Sequence, residues 1–129
     1  MENKTEIINA VIESAIIDTG DRNLLTVWIN LNYGGSSQGF GGYSLYLPKS
    51  YKHFTNKGDF AGHFIFRSME IAGVTSWKDI VGKTIRVKRG KGLGGDVIEI
   101  GHIVKNDWFN PSIDFKKMES GEIVSDIKD

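Results

Sequence analysis

The feature that most constrains the fold is a long run of β-branched residues near the start of the chain. Residues 6–17 carry apolar side chains at both odd and even positions, which is typical of a strand covered on both faces. Asp18-Thr19-Gly20-Asp21 is a turn signal, and residues 24–31 then alternate apolar and polar side chains. This pattern predicts an antiparallel hairpin.

The middle of the chain predicts a third strand and one main helix. Residues 43–47 alternate in the manner of a strand, which Pro48 should end. Asp59 is suited to cap a helix over residues 60–72, and Gly73 is suited to terminate it. We expect residues 49–59 to form a mildly basic loop before this helix.

The second half predicts a short helical turn and two more strands. The turn should open at Ser76-Trp77-Lys78-Asp79, and the strands should cover residues 84–89 and 96–104. Strands before and after one main helix indicate an α+β fold with a largely antiparallel β-sheet, one main α-helix and a short second helical turn. With 129 residues, 40% of them apolar, we assign residues 1–129 to a single domain. Its core should span about 6–111, followed by a charged C-terminal tail, 112–129.

Charge and composition exclude several classes of function. The 16 Lys and Arg balance the 16 Asp and Glu, so no overall positive field draws the protein to a nucleic-acid polymer or a membrane. The absence of Cys excludes disulfides, zinc ribbons and thiol nucleophiles. The polar N-terminus lacks a signal-peptide core, and no apolar run approaches about 20 residues, so we expect a cytoplasmic protein.

Chemistry-bearing residues show no catalytic arrangement. The three His lack metal-ligand spacing and the carboxylates are scattered, so we predict no metal, no cofactor and no catalytic residues. Gly35-Ser36-Ser37-Gln38-Gly39 matches the G-x-S-x-G nucleophile elbow, but a strand-like segment follows where the elbow needs a helix. Residues 90–95 match G-x-G-x-x-G, yet a strand follows there too, which excludes a dinucleotide-binding turn.

A glycine-rich segment and a cationic run are candidates for binding a ligand. Residues 33–43 combine five glycines with three aromatic rings, so backbone N–H groups could hold anionic oxygens while a ring stacks a base. Arg86 and Lys88 share one face of a strand, and Arg67 on the helix could add a cation for a diphosphate. A wide turn and a solvated strand face remain the alternatives. The candidate residues of the glycine-rich segment are Ser37, Gln38, Gly39, Phe40, Gly41, Gly42 and Tyr43.

Three runs together resemble the first type of phage-encoded Thoeris anti-defence protein. They are Gly34 to Tyr43, Gly73 to Val87, and Ile100-Gly101-His102-Ile103 with Trp108-Phe109. The resemblance implies a sponge that binds glycocyclic ADP-ribose without degrading it, in the cytoplasm of the bacterial host. It also implies a homo-oligomer, either a dimer or a hexamer assembled from dimers, and leaves binding of cyclic di- or trinucleotides open.

Within that resemblance, residue chemistry suggests roles for the candidates. Phe40 or Tyr43 would stack the base, Ser37 and Gln38 would bond sugar or base edges, and Arg86 or Arg67 would hold the diphosphate. His102 is a further candidate for ligand binding, although a partly buried structural histidine is the simpler interpretation. Two alternatives stay open: a hydrolase or lyase with His102 as its base, and a small nucleic-acid-binding protein that uses residues 83–91.

Overall fold

The structure, a computed structural model, describes residues 4–21, 24–43, 45, 59–91 and 95–121. These residues form a six-stranded antiparallel sheet with two α-helices, which confirms the α+β prediction. The strands are β1 (Thr5–Asp21), β2 (Leu24–Asn32), β3 (Ser37–Gly41), β4 (Thr84–Gly90), β5 (Val97–Gly101) and β6 (Trp108–Phe109). The helices are α1 (Phe60–Ala72) and α2 (Pro111–Glu119), and a 3₁₀ turn spans Trp77–Asp79.

The long first strand organises the sheet, whose order is β3-β2-β1-β4-β5-β6. Its first part pairs with β4 from Thr5 to Val11, and its remainder pairs with β2 as the predicted hairpin. An irregularity between Ile12 and Ser14 shifts the register with β2. Ile7 is 52% exposed on the face opposite the helices, so the expectation that β1 is covered on both faces is wrong.

One face of the sheet, the inner face, carries the core. Alternation turns Val27, Ile29 and Leu31 of β2 toward α1, and the same parity places Ile85 and Val87 there from β4. The outer face bears polar side chains together with exposed apolar ones. The core also includes Ala10, Ile12, Phe40, Phe64, Ile71, Ile100 and Phe109.

Local capping signals explain both helices. The Asp59 carboxylate accepts from the Gly62 N–H at 2.8 Å at the start of α1, and Gly73 ends this helix in the left-handed conformation at φ 74°. These are the predicted bounds of the main helix. The second helix was not predicted: Asn110 caps it, Pro111 opens it, and Phe115 packs against Phe60 at 4.5 Å between ring centroids.

Two predicted strands differ from the structure. The third strand was expected over residues 43–47, but β3 is the glycine-rich segment itself, Ser37–Gly41. Residues 44 and 46–58, which include most of the predicted basic loop, lie outside the described residues. The strand expected over 96–104 ends at Gly101, so His102 belongs to the connection between β5 and β6.

Candidate functional site

Strand alternation divides the glycine-rich segment between the two faces of the sheet. Gly39 and Gly41 are paired with Asn30 and Trp28 and lie on the outer face, whereas Phe40 points into the core. Phe40 is 2% exposed, and its ring lies 5.7 Å from that of Phe64. Phe40 therefore has no ring face open to a base, which corrects the stacking role predicted for it.

The glycines of β3 make room for a tryptophan. A Cβ on Gly39 would lie 2.9 Å from the Trp28 ring, and a Cβ on Gly42 would overlap the same ring. The indole of Trp28 thus packs on the β3 backbone, and 44% of the residue remains exposed on the outer face. Intramolecular packing explains these glycines without any ligand.

Tyr43 and Ser37 occupy separate environments at the two ends of this segment. Tyr43 is partly buried against the aromatic core, with its ring centroid 5.9 Å from that of Phe115 and 6.0 Å from that of Phe64. Ser37 is exposed at the first position of β3. Since Ser37 begins a strand and no helix follows it directly, the nucleophile-elbow interpretation fails here.

Gln38 takes part in a network on the inner side of the sheet. Its side-chain oxygen accepts from the Tyr33 hydroxyl at 2.6 Å and from Arg89 Nη1 at 3.1 Å, and its side-chain nitrogen donates to the Gly95 carbonyl. Arg89 also pairs with Glu6 at 3.0 Å and lies over the Tyr33 ring. We call Glu6, Tyr33, Gln38, Arg89 and Gly95 the closure network, because it joins β3 to the ends of β4 and β5.

Arg67 lies inside the molecule and is bound by protein groups. Its guanidinium donates to Asp107 at 2.8 Å, to Glu70 at 2.6 Å and to the Trp108 carbonyl at 2.9 Å. Burial, the largest influence, lowers the pKa of Arg67, but hydrogen bonds and charges from Asp107 and Glu70 leave it raised overall. Arg67 therefore fixes the segment before β6. The prediction that it holds a diphosphate is wrong, because its guanidinium is already bound by protein groups.

Arg86 and Lys88 lie on the outer face beside a second tryptophan. The Arg86 guanidinium is 4.8 Å and the Lys88 ammonium 5.6 Å from the centroid of the Trp108 ring. Trp108 crosses Gly101, where a Cβ would lie 2.6 Å from the indole. We call Arg86, Lys88, Trp108 and residues 102–107 the Arg86 cluster. It brings together two cations and an aromatic ring, residue types that can contact the phosphates and the base of a nucleotide.

His102 organises the connecting segment of this cluster. Its Nδ1 accepts from the backbone N–H groups of Val104 and Lys105, both at 3.0 Å. The carbonyls of His102 and Lys105 in turn accept from Arg86 Nε and Nη2, both at 2.7 Å. The side chain predicted to contact a ligand thus makes hydrogen bonds within the chain.

The predicted sites do not merge into one pocket. On the outer face, Gly39 of β3 and Arg86 of β4 are separated by two intervening strands, β2 and β1. The two predicted segments touch on the other face, where Gln38 meets Arg89. The structure therefore assembles Arg86, Lys88 and His102 and leaves Ser37, Phe40 and Tyr43 in other surroundings. Arg67 touches the Arg86 cluster only from the inner side, through Asp107 and the Trp108 carbonyl.

The sequence patterns did not predict that two tryptophans present their rings on the outer face. Trp28 and Trp108 each lie across a glycine of a neighbouring strand. The signal was present as a tryptophan opposite a glycine in paired strands, Trp28 with Gly41 and Trp108 with Gly101. Recognising it required the strand register, which sequence patterns alone do not provide.

A histidine and a carboxylate also meet between the helices. His63 Nε2 and Asp114 Oδ2 are 2.8 Å apart, which joins α1 to α2. Among the described residues, no group of three or more His, Asp or Glu side chains is placed to hold a metal ion. None of the described helices is long and apolar enough to cross a membrane.

The fold places the protein in the α+β class, with a cationic and aromatic cluster on an open sheet face. Comparison with models of protein families, with curated proteins and with solved structures finds no match.

Proposed function

We propose that this protein binds and sequesters glycocyclic ADP-ribose without degrading it. The observation that carries the proposal is the placement of Arg86 and Lys88 beside the Trp108 indole on the outer face of the sheet. The proposed ligand contains a diphosphate and an adenine. Cations can hold the first, while an indole can stack the second.

The cations of the cluster retain capacity for an anion. Arg86 uses Nε and Nη2 on backbone carbonyls, and within the described residues its Nη1 has no hydrogen-bond partner. The Lys88 ammonium is 3.7 Å from the Glu99 carboxylate, beyond ordinary hydrogen-bond length. A bound phosphate oxygen would therefore add interactions to both residues without breaking a short one.

Sequestration fits the cluster better than hydrolysis does. A base would need a free ring nitrogen, but two backbone N–H groups already occupy Nδ1 of His102. The remaining nitrogen, Nε2, faces Gly73 at the end of α1, 3.7 Å from where a Cβ on that glycine would lie. A binding protein needs no nucleophile, whereas an enzyme acting here would.

The biological role follows from the resemblance rather than from the geometry. In an infected bacterial cell, capture of this signal in the cytoplasm would keep the Thoeris effector inactive and thereby block host immunity. Cyclic di- or trinucleotides are additional ligands to test, because they present the same combination of bases and phosphates. No nucleic-acid polymer is expected as a partner.

We also propose that the protein forms a homo-oligomer through its outer face. Four apolar side chains there, which we call the outer apolar patch, are between 41% and 52% exposed. Burying such a patch between two copies is favourable by about 25 cal/mol per Å² of apolar area. The patch consists of Ile7, Val11, Ile16 and Trp28.

Release of the ligand by heat tests the function. The protein is incubated with glycocyclic ADP-ribose, separated from free ligand and heated, and the supernatant is analysed by chromatography with mass spectrometry. Intact ligand supports sequestration, whereas a converted product supports the hydrolase or lyase. Salt-sensitive binding of mixed oligonucleotides without retention of the cyclic ligand would instead support the nucleic-acid-binding alternative.

Substitutions in the Arg86 cluster locate the site. We expect Arg86→Ala to weaken binding at least about tenfold and Lys88→Gln to weaken it severalfold, because each removes a charged contact to phosphate. Lys78→Gln is the matched control, since Lys78 is an exposed cation in the 3₁₀ turn. Isothermal titration calorimetry measures affinity, and native mass spectrometry gives the number of subunits. Unchanged affinity in both cluster variants would exclude this site.

A further inference from the structure

The connection between β5 and β6 depends on the protonation state of one imidazole. Nδ1 of His102 is the acceptor for two backbone N–H groups, those of Val104 and Lys105. An imidazole nitrogen can accept only when it carries no proton, so a neutral ring must hold its proton on Nε2. A doubly protonated imidazole would present a donor to two donors, and both hydrogen bonds would be lost.

The same segment orients the ligand-binding cation. Its carbonyls, from His102 and Lys105, accept the two short hydrogen bonds of Arg86. These bonds direct the guanidinium across Trp108, at 4.8 Å from the ring centroid. The orientation of Arg86 is thus coupled to the shape that His102 gives to residues 102–107.

The described charged groups around residues 102–107 offer the His102 imidazole no substitute for its two hydrogen bonds to the backbone. Arg86 approaches from β4, Arg67 and Glu70 from α1, and Lys105 and Asp107 belong to the segment itself. The Asp107 carboxylate is bound to Arg67, and within the described residues no carboxylate contacts the imidazole. A proton gained by His102 would therefore find, in the described part of the chain, no carboxylate acceptor to replace the two lost hydrogen bonds.

We propose that His102 is a positioning residue and a pH-sensitive switch for the Arg86 cluster. Its neutral form, protonated on Nε2, holds residues 102–107 so that Arg86 and Trp108 are ordered. Its protonated form opens the segment and releases Arg86. The effect on ligand affinity rests on the proposed function, whereas the conformational change does not.

Nuclear magnetic resonance on the 129-residue chain without ligand tests the conformational part. Between about pH 8 and about pH 5, where histidines change charge, we expect the Trp108 indole resonance and the Val104 and Lys105 amides to shift together with the His102 ring. Amide exchange at these two residues should accelerate at the lower pH. A His102 ring that titrates while the Trp108 and amide resonances stay constant would overturn the proposal.

Two variants separate positioning from general stability. His102→Asn places an amide oxygen close to the position of Nδ1 and cannot gain a proton, so it should preserve the segment and abolish the pH response. His102→Leu removes the acceptor and should resemble the acidic state at every pH. His63→Asn is the matched control and should retain the wild-type response, since His63 joins the two helices instead. An unchanged pH response in His102→Asn would contradict the switch. If His102→Leu does not fold, the pH-dependent resonances of the wild type still decide whether the switch exists.

Calorimetry with glycocyclic ADP-ribose then tests the ligand part. The wild type should bind about tenfold more weakly at about pH 5 than at about pH 8, because the oriented contact from Arg86 is lost. His102→Asn should bind equally at both. If no ligand binds at either pH, the proposed function fails while the resonance data still decide on the switch. Binding that is independent of pH in the wild type would overturn the ligand part alone.

Discussion

At the scale of single residues, two tryptophans pack on glycines of the sheet, and two of these glycines belong to the segment that first suggested a ligand site. Trp28 packs on Gly39 of β3 and on Gly42 just after it, and Trp108 packs on Gly101 of β5. In each case the missing Cβ lets a ring lie against a neighbouring strand, which compensates for the lack of a side chain in the sheet. Both rings lie on the outer face, so the glycines shape the surface available to a ligand or a second subunit.

Gly41 is the glycine of β3 whose replacement should cost most. Its φ is 135°, a conformation that L-residues rarely adopt, and a Cβ there would overlap the Val27 carbonyl oxygen. We expect Gly41→Ala to destabilise the protein by about 2 kcal/mol or more. Thermal unfolding followed by circular dichroism should show a melting temperature lower by roughly 5 °C or more.

Gly35 provides the matched control for this prediction. It lies in the turn before β3, and a Cβ at this position would have no heavy atom within 4 Å and no positive φ to adopt. Gly35→Ala should therefore leave the melting temperature nearly unchanged. Equal effects of the two substitutions would show that the backbone conformation of Gly41 is not the cause.

At the scale of elements, residue patterns predicted what local interactions determine. The bounds of α1 were predicted because Asp59 and Gly73 cap it from adjacent positions. The location of β3 was not predicted, since Gly39 is explained by the Trp28 ring and Gly41 by the Val27 backbone, both on the paired strand. Helix α2 was missed because its short apolar face is anchored by Phe115 on residues far away in the chain.

The same distinction between local and distant interactions explains which parts of the candidate site were predicted. Arg86 and Lys88 were predicted to share a face because alternation along one strand is a local property. Arg67 was interpreted as a ligand contact because its partner, Asp107, lies 40 residues away. His102 was assigned to a strand, and its hydrogen bonds to the following amides became visible only in the three-dimensional structure.

Arg67 should be the main link between α1 and the segment before β6. Arg67→Met removes hydrogen bonds to Asp107, Glu70 and the Trp108 carbonyl, although the two carboxylates are partly exposed and can be rehydrated. We expect a loss of about 2 kcal/mol in the free energy of unfolding. Urea denaturation measures this loss as a lower midpoint with an unchanged slope.

Lys78→Met serves as the comparison for Arg67→Met. Lys78 pairs with Asp79 at 3.1 Å, but its side chain is 81% exposed, so the pair should contribute less than about 1 kcal/mol. Similar losses in the two variants would indicate that Arg67 contributes no more than a surface ion pair. A change in slope for Arg67→Met would indicate altered compactness rather than a lost contact.

At the scale of the whole molecule, the closure network joins strands that are far apart in the sheet. β3 is an edge strand, yet Gln38 reaches Arg89 on β4 and the Gly95 carbonyl just before β5. The sheet must therefore curl so that its inner face encloses α1 and the aromatic core. Tyr33, at the end of β2, reports on this curvature because its hydroxyl bonds to Gln38 and its ring lies under Arg89.

The titration of Tyr33 tests whether the network persists in solution. Burial is the largest influence and raises the pKa of Tyr33 above its ordinary value of about 10, although Arg89 acts in the opposite direction. Because the folded-state pKa exceeds the unfolded one, the unfolded chain loses this proton more readily. The associated stability is complete below about pH 10 and is lost as the pH rises through the folded-state value.

Ultraviolet absorbance of tyrosinate measures this titration, and the difference between wild type and Tyr33→Phe isolates Tyr33 among the four tyrosines. We expect Tyr33 to ionise above about pH 10. Arg89→Gln should raise its pKa further, since Arg89 stabilises the phenolate by hydrogen bonding and charge. If Tyr33 titrates at the ordinary tyrosine pKa in both the wild type and Arg89→Gln, the sheet is open at this end and Gln38 is separated from Arg89. The inner face would then be accessible to solvent beside β3, and the Arg86 cluster on the outer face would stand on a flatter sheet.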